Sequence, residues 1–543
     1  MGEGIGSMAD RAVVFERRTS GLARWWAAAF AAAAVLGITG IGHAAPVEAP
    51  AAGAKSSVQT AALPSALATA AKRLRISSSD IVISVVPVDA PERPVLAWND
   101  RRADSPASVA KLVTTLAALE SLGANHRWYT GFYARSEPSK SGVLKGGLFI
   151  RGGGDPSFAG EDFTMELEKL AQLGVKRIEG DIIVDRSHFN IPKVNPGAFD
   201  GRPSRPYNLQ ADPAIVNFRN LSFEFFPDPE KRVARVVTMP ALAGVAFPKT
   251  IPLGKGACGD WKTSIGFQMK DAGQGRKRAI FNGKLPLACG HKNFNVIAFE
   301  PDEYLERFIR AAWERDGRTW KGHIKAGAVP QDAVKLFTHA SKPLGEVTTL
   351  TNKWSNNLMA RHIFLSLGAA KVREAFEAEQ EARQEAAGSQ TKKSASIKKP
   401  KLEFPRGVTL KDARGALAEW LASKGVEPGE VWIDNGSGLS HEAHVTGRAM
   451  TKILAAGWSG PYMPEYLASM PITGVDGTMT KRKVALERGR IKTGRLNEVR
   501  SIGGFIHAQN GSRYAVYASV SGKSAPGGIE FLNSVIDWID GLP

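Results

Sequence analysis

Ala107-Ser108-Val109-Ala110-Lys111-Leu112 is the stretch on which the reading of this 543-residue chain turns. Residues three apart on a helix are neighbours on one face, so the amine of Lys111 can reach the hydroxyl of Ser108 without help from distant sequence. Ser105-Pro106 just upstream reads as a helix start, and Val109, Leu112, Val113, Leu116 and Leu119 recur at helical spacing. Ser108 then falls in the first turn, where unpaired backbone N–H groups and the positive end of the helix dipole favour an oxyanion. A nucleophile stands beside a base.

Ser-x-x-Lys on its own is a weak pattern. Two further copies, Ser389 to Lys392 and Ser396 to Lys399, lie in a Lys- and Ser-rich segment with no apolar periodicity to bury an amine, and read as solvated linker. Two downstream signals set Ser108 apart. Ser355-Asn356-Asn357 opens a helix or the turn before it, and Lys492-Thr493-Gly494 lies on a predicted strand, where glycine would let a substrate backbone approach closely.

The chemistry of these residues is coherent. A serine hydroxyl attacks an amide only if its proton leaves during attack, so a neutral amine must take it, and Lys111 is placed to do so. Bringing a lysine from about 10.4 toward 7 or 8 needs roughly 3 to 4 kcal/mol, which burial and a second ammonium, Lys492, could supply together. Ser355 can pass a proton to the departing amine. Asn357 can orient Lys111 and the substrate amide, and Lys492 or Thr493 can recognise a terminal carboxylate.

Ser-x-x-Lys, Ser-x-Asn and Lys-Thr-Gly in that order resemble the set carried by penicillin-binding proteins and serine β-lactamases. Ser108 and Ser355 are 247 residues apart, with a β-rich stretch and one cysteine pair between them. This is similar to the class C low-molecular-mass penicillin-binding proteins, the D-alanyl-D-alanine carboxypeptidase/endopeptidases, whose catalytic domain is interrupted by inserted β domains. Gly147-Leu-Phe-Ile-Arg-Gly-Gly-Gly-Asp-Pro, Asp434-Asn-Gly-Ser-Gly-Leu-Ser and Gly474-Val-Asp-Gly-Thr-Met carry the likeness further, over about residues 60 to 540. Asn356 departs from the Asp of many members, between the two positions that have assigned roles.

The resemblance implies an α+β fold: an antiparallel sheet flanked by helices plus a helical subdomain, interrupted by inserted β-rich domains. It implies a serine D,D-carboxypeptidase/D,D-endopeptidase that acts on peptidoglycan stem peptides through an acyl-enzyme, is inhibited by β-lactams and needs no cofactor or metal. It further implies that backbone N–H groups of Ser108 and Arg495 hold the oxyanion. A β-lactamase-like hydrolase and a catalytically silent murein-binding protein are the alternatives, the first distinguished by fast deacylation and the second disfavoured by the completeness of all three motifs.

Composition narrows the context. The net charge of +18 raises nucleic acid as a partner, but no basic run is interleaved with aromatics and no zinc-finger or RNP-like pattern occurs. A cationic surface also suits work beside anionic envelope polymers and lipids, so peripheral membrane association stays open. Arg11, Arg17, Arg18 and Arg24, an apolar run from Trp25 to Ile41, and Gly42-His43-Ala44-Ala45 read as a signal peptide cut after Ala44, which places the mature protein in the periplasm. The two cysteines, Cys258 and Cys289, are expected to pair.

The expected organisation is a signal peptide over 1–44, a first catalytic part over 45–131, inserted β-rich domains over 132–321, and a second catalytic part over 322–543. A charged, low-complexity stretch near 373–406 reads as a mobile insertion. Gln509-Asn510-Gly511 marks a hairpin and Glu530 to Ile539 a closing helix. Gly152 to Gly154 reads as a turn, because no Lys-Ser or Lys-Thr follows. His441 and His444 are three apart, which does not meet the zinc-protease helix spacing, and Gly522-Lys523-Ser524 lacks the upstream glycine of a phosphate loop.

Overall fold

The computed structural model describes residues 62–388 and 402–543. The predicted signal peptide and the Ser389 and Ser396 copies of the Ser-x-x-Lys pattern lie outside the described residues. Among those residues no helix is long and apolar enough to cross a membrane.

Strand Ile81–Pro87 shows how the catalytic half is layered. Val82 and Val86 enter one core, whereas Ile81, Ile83 and Val85 enter another. A strand buried on both faces has to lie inside a sandwich of helices. It does so in an antiparallel sheet of order Leu96–Trp98, Ile81–Pro87, Arg513–Ser521, Val499–His507, Gly489–Leu496. The register runs from Ile81 opposite Val520 to Pro87 opposite Tyr514, so the first strand of the chain is zipped to the last. The fold is α+β.

Helices Ser65–Arg73 and Gly528–Asp540 cover one face, with Leu67, Phe531, Val535 and Ile539 in the contact. Helix Ala110–Leu122 lies under the other. Its predicted apolar stripe is in fact a full girth, since every residue from Ala110 to Leu119 is buried. Helices from Asn357, Leu410–Ser423 and Gly447–Ser459 enclose it.

The chain leaves this half through strand Tyr129–Ala134 and returns through Val334–Ala340, and the two pair antiparallel. They belong to a five-stranded sheet that also holds Leu148–Arg151, Ile182–Asp185 and Ile324–Ala326. A second five-stranded sheet contains Asn220–Asp228 and Lys292–Ile297, and a disulfide joins Cys258 to Cys289 beside it. One aromatic-rich core, with Phe132, Phe163, Phe223, Phe225 and Trp313, underlies both sheets. The strand Tyr129–Ala134 crosses the expected boundary at 131/132, and Ile324–Ala326 and Val334–Ala340 lie past the one at 321/322. Strand pairing across more than 200 residues of sequence sets these limits, and composition does not reveal it.

The stretch expected to be a mobile insertion from 373 is corrected in two places. Helix Asn357–Gly388 continues through it as a 32-residue element. The segment is rich in Ala, Glu, Gln and Arg, strong helix formers, with Arg373 facing Glu377 and Glu379 facing Arg383 at i,i+4 spacing. On the return, Leu402 donates its N–H to the Gln331 carbonyl at 2.9 Å. Phe404 packs edge-on against Tyr133 and under the Arg151 guanidinium, 4.0 Å from the ring centre.

Candidate active site

Ser108 lies in the single-turn 3₁₀ helix Ala107–Val109, which feeds directly into helix Ala110–Leu122. Lys111 is one turn on. Its ammonium nitrogen donates to Ser108 Oγ at 2.9 Å, Asn357 Oδ1 at 2.7 Å and the Ser437 carbonyl at 2.6 Å. Those three partners saturate the nitrogen, which as a neutral amine gives two N–H groups and offers its lone pair to the Ser108 hydroxyl, and none is a carboxylate. Burial first, then the charges of Lys492 and Arg361, holds the Lys111 amine well below the usual lysine value.

Lys492 is the second buried amine. It lies on Gly489–Leu496, the edge strand of the sheet, and donates to Ser355 Oγ at 2.9 Å and to the Thr493 carbonyl at 2.7 Å. Burial pulls its pKa down to about 7. Ser108, Lys111, Ser355, Asn357 and Lys492, drawn from three distant segments, thus form two linked serine–lysine pairs. Arg495 follows on the same strand with its side chain exposed, and the Thr493 hydroxyl is 3.0 Å from that of Thr478.

Two residues of the site carry backbone strain. Ala107, immediately before the nucleophile, has φ of 44°, and Ser355 has φ of 56°. Left-handed backbone at non-glycine residues costs on the order of 1 to 3 kcal/mol each and persists only where its surroundings fix it. Gly494 has a steric role against the turn of the nucleophile. A Cβ there would lie 2.1 Å from Ser501 Oγ and 2.6 Å from the Pro106 carbonyl. The space it keeps open is filled by the turn that carries Ser108, and Ser501 Oγ donates to that same carbonyl at 2.7 Å.

Three partners of the site carried no assigned role in the sequence. The loop Asp434 to Gly438 supplies the Ser437 carbonyl to Lys111, and Asn435 Oδ1 shapes it by accepting from the Ser437 N–H and Oγ. Gly438 is at φ of 72°, and a Cβ there would come within 1.9 Å of the Ala107 carbonyl. In the Gly474-Val-Asp-Gly-Thr-Met stretch, Asp476 pairs with Lys353 while Thr478 meets Thr493. Both loops stood out in sequence only as stretches that resemble the family.

The third partner is the insert. Asn357 Nδ2 donates to the Tyr207 carbonyl at 3.1 Å, Arg361 donates to the Leu209 carbonyl, and the Asp212 N–H donates to His362 Nε2 at 3.3 Å. His362, fully buried, donates its Nδ1–H to the Gly154 carbonyl at 2.8 Å. Four contacts to one helix turn hold the Asn357 helix against the insert. No short-range pattern could have shown them, because all four use a backbone atom of the insert on one side. His441 is exposed and stacks on Phe199 with ring centres 4.6 Å apart.

The family model described as D-Ala-D-Ala carboxypeptidase 3 (S13) matches residues 63–393 and 400–535. Among curated proteins, a D-alanyl-D-alanine carboxypeptidase of Actinomadura sp. (strain R39) is 27% identical over 431 residues, covering 75% of this chain and 71% of that one. The D-alanyl-D-alanine carboxypeptidase DacB of Haemophilus influenzae is 24% identical over 423 residues, covering 77% and 80%. The crystal structure of penicillin binding protein 4 (dacB) from H. influenzae superposes with a TM-score of 0.65 at 18% identity, covering 88% of this chain and 99% of that one. At that identity the likeness speaks for the fold.

Proposed function

We propose that this chain, which belongs to the D-Ala-D-Ala carboxypeptidase 3 (S13) family, is a peptidoglycan-acting serine D,D-carboxypeptidase/D,D-endopeptidase working through an acyl-enzyme on Ser108. The observation that carries the residue roles is the hydrogen-bond set of Lys111: a buried amine 2.9 Å from a serine hydroxyl, with neutral acceptors only.

Lys111, as the neutral amine that its lowered pKa favours, takes the proton of Ser108 as Oγ attacks the carbonyl carbon of the penultimate D-alanine. The oxyanion that forms faces the first turn of the Ser108 helix, where backbone N–H groups of Ser108 and Arg495 are assigned to receive it. Collapse of the intermediate breaks the C–N bond. Ser355, bonded to Lys492, delivers a proton to the departing amine. The proton that Lys111 took from Ser108 refills Ser355 and leaves Lys111 neutral again. Water then attacks the acyl-enzyme, Lys111 takes its proton, and that proton passes to Ser108 Oγ as the ester bond breaks and the peptide acid leaves. Asn357 holds Lys111 in place through its carbonyl oxygen, and Lys492 with Thr493 receives the terminal carboxylate of the substrate. A β-lactam takes the same route as far as the acyl-enzyme, which persists.

The order of cationic, apolar and small residues over 1–44 supports export and cleavage after Ala44, with the mature enzyme in the periplasm and its cationic surface beside the membrane. Intact-protein mass spectrometry after incubation with a penicillin tests the assignment. A single adduct mapping to the Ser108 peptide and lasting for many turnover times is expected. An adduct on another residue, or one that persists in Ser108→Ala, would remove Ser108 from this role, and rapid loss of the adduct would favour a β-lactamase.

A further inference from the structure

We propose that the cleft between the second sheet of the insert and the Ser355 turn seats the second, acidic peptide strand of a cross-link, with Arg205 and Lys262 as its anchors. This deepens the endopeptidase reading and rests on it. The cleft, of about 400 Å³, begins at Ser355 and Asn357 and is bounded on its far side by Asn220, Asn293 and Asn295.

Direction comes from the chemistry. Ser355 gives the proton to the departing amine, so space that opens from Ser355 is space into which a leaving group goes. In a carboxypeptidase step that group is one free alanine, which a cavity of this size would hold with most of its volume spare. In an endopeptidase step the departing amine belongs to a whole second stem peptide, and such peptides carry free carboxylates.

The lining fits that occupant. Among the described residues neither Arg205 nor Lys262 makes an ion pair, although both line the cleft. Asp260, the carboxylate nearest Lys262 in effect, accepts from Thr263 Oγ1 at 2.7 Å. Burial and the Arg205 charge both push the Lys262 amine down and outweigh the opposing charge of Asp260, as expected for two cations whose nearby carboxylate does not neutralise both. On the sheet opposite, Asn220 Nδ2 donates to Asn295 Oδ1 and Ser222 Oγ to Asn293 Oδ1, each at 2.9 Å. With their carbonyl oxygens engaged, Asn293 and Asn295 present N–H donors, which suit the carbonyls of a peptide backbone. Trp354, 68% exposed, supplies an apolar rim beside Ser355. Two cations select carboxylates, whereas a neutral glycan would leave them unused. The Cys258–Cys289 bridge anchors the short turn Trp261–Ser264 that carries Lys262.

The test compares wild type with Arg205→Gln/Lys262→Gln on three substrates: a cross-linked peptide dimer, a monomeric pentapeptide, and that pentapeptide bearing its disaccharide. The double variant is expected to lose roughly 5- to 25-fold in kcat/KM on the dimer, as two partly exposed ion pairs allow, and to stay within about twofold on both monomers. Added salt should weaken dimer cleavage by the wild type and not by the variant. An unchanged dimer rate, an equal loss on all three substrates, or a loss confined to the disaccharide-bearing monomer would overturn the proposal, the last in favour of a glycan. Wild-type protein that cleaves the monomer but not the dimer would overturn this proposal alone. Wild-type protein that cleaves none of them would overturn the D,D-peptidase reading and this proposal with it.

Discussion

The insert and the catalytic centre handle buried charge in opposite ways. In the insert, Arg186 is held between Asp212 and Asp302, and His339 between Glu166 at 2.9 Å and Asp155 at 3.4 Å. Burial works against the His339 proton, yet the two carboxylates keep its pKa above the ordinary value. In the catalytic centre, Lys111 and Lys492 have no carboxylate partner among the described residues and only neutral acceptors, and burial drives both pKa values down. Paired charge keeps a structure in register. Unpaired charge is costly, and here it leaves Lys492 with a pKa of about 7 and Lys111 well below the usual lysine value, so that both give up a proton more readily than an ordinary lysine.

The sharpest way to break this contrast is to remove what the unpaired charge serves. Ser108→Ala should lower peptide turnover by at least about 10⁴-fold and abolish the β-lactam adduct, read by steady-state kinetics and intact mass. Lys111→Arg keeps a cation that cannot give up its proton, and acylation should fall by about 10²- to 10⁴-fold. Near-native acylation in that variant would show that a neutral amine at this position is not needed.

Lys492 offers a subtler test. If its ammonium reads the substrate carboxylate, Lys492→Ala should cost about 1.5 to 3 kcal/mol in kcat/KM on pentapeptide, roughly 10- to 150-fold, and much less on an ester without a free carboxylate. The pH profile should agree. With a pKa of about 7 the ammonium is lost above neutrality, so kcat/KM on the peptide should decline above about pH 7 while that on the ester does not. Equal losses on both substrates would assign Lys492 mainly to keeping Lys111 neutral.

Stability should respond to pH with opposite signs in the two regions. The unfolded chain binds more protons than the folded one between the lowered Lys492 pKa of about 7 and the ordinary lysine value of 10.5. Lys492 therefore makes the protein more stable as pH rises through that window, by on the order of a few kcal/mol, and Lys492→Met should flatten the gain in denaturant titrations. His339 is the reverse case. Its folded pKa is raised from 6.5, so its contribution is complete below about pH 6.5 and is lost as pH rises through the folded value. Smallest for catalysis, Cys258→Ser/Cys289→Ser should destabilise the insert by roughly 3 to 4 kcal/mol, seen as a lower Tm, while acylation of Ser108 is retained.

Much of the site was legible because its residues come in short motifs whose spacing is itself the geometry. Ser108 and Lys111 meet by helical periodicity, and the strand that carries Lys492 was visible from its sequence. The β-branched run Ile81-Val82-Ile83-Ser84-Val85-Val86 marks a strand, and Asn510-Gly511 a hairpin, for the same reason: the physics that fixes them acts over a few residues. Where the sequence does not reach, the deciding contacts are remote. Gly494 is required by the Pro106 carbonyl and Ser501 beneath it. The limits of the insert are set by pairing of Tyr129–Ala134 with Val334–Ala340.

The sequence by itself therefore determined which groups can do the chemistry, in which order along the chain, and that the fold is α+β with a β-rich interruption. Only the tertiary structure decided that Lys111 is saturated by a carbonyl from the 434–438 loop, that the Asn357 helix is pinned by the Tyr207–Asp212 backbone, and that both lysines are fully buried. The reason is physical. A backbone carbonyl is present at every residue and leaves no mark in the sequence, and burial depends on what the rest of the chain stacks above a residue.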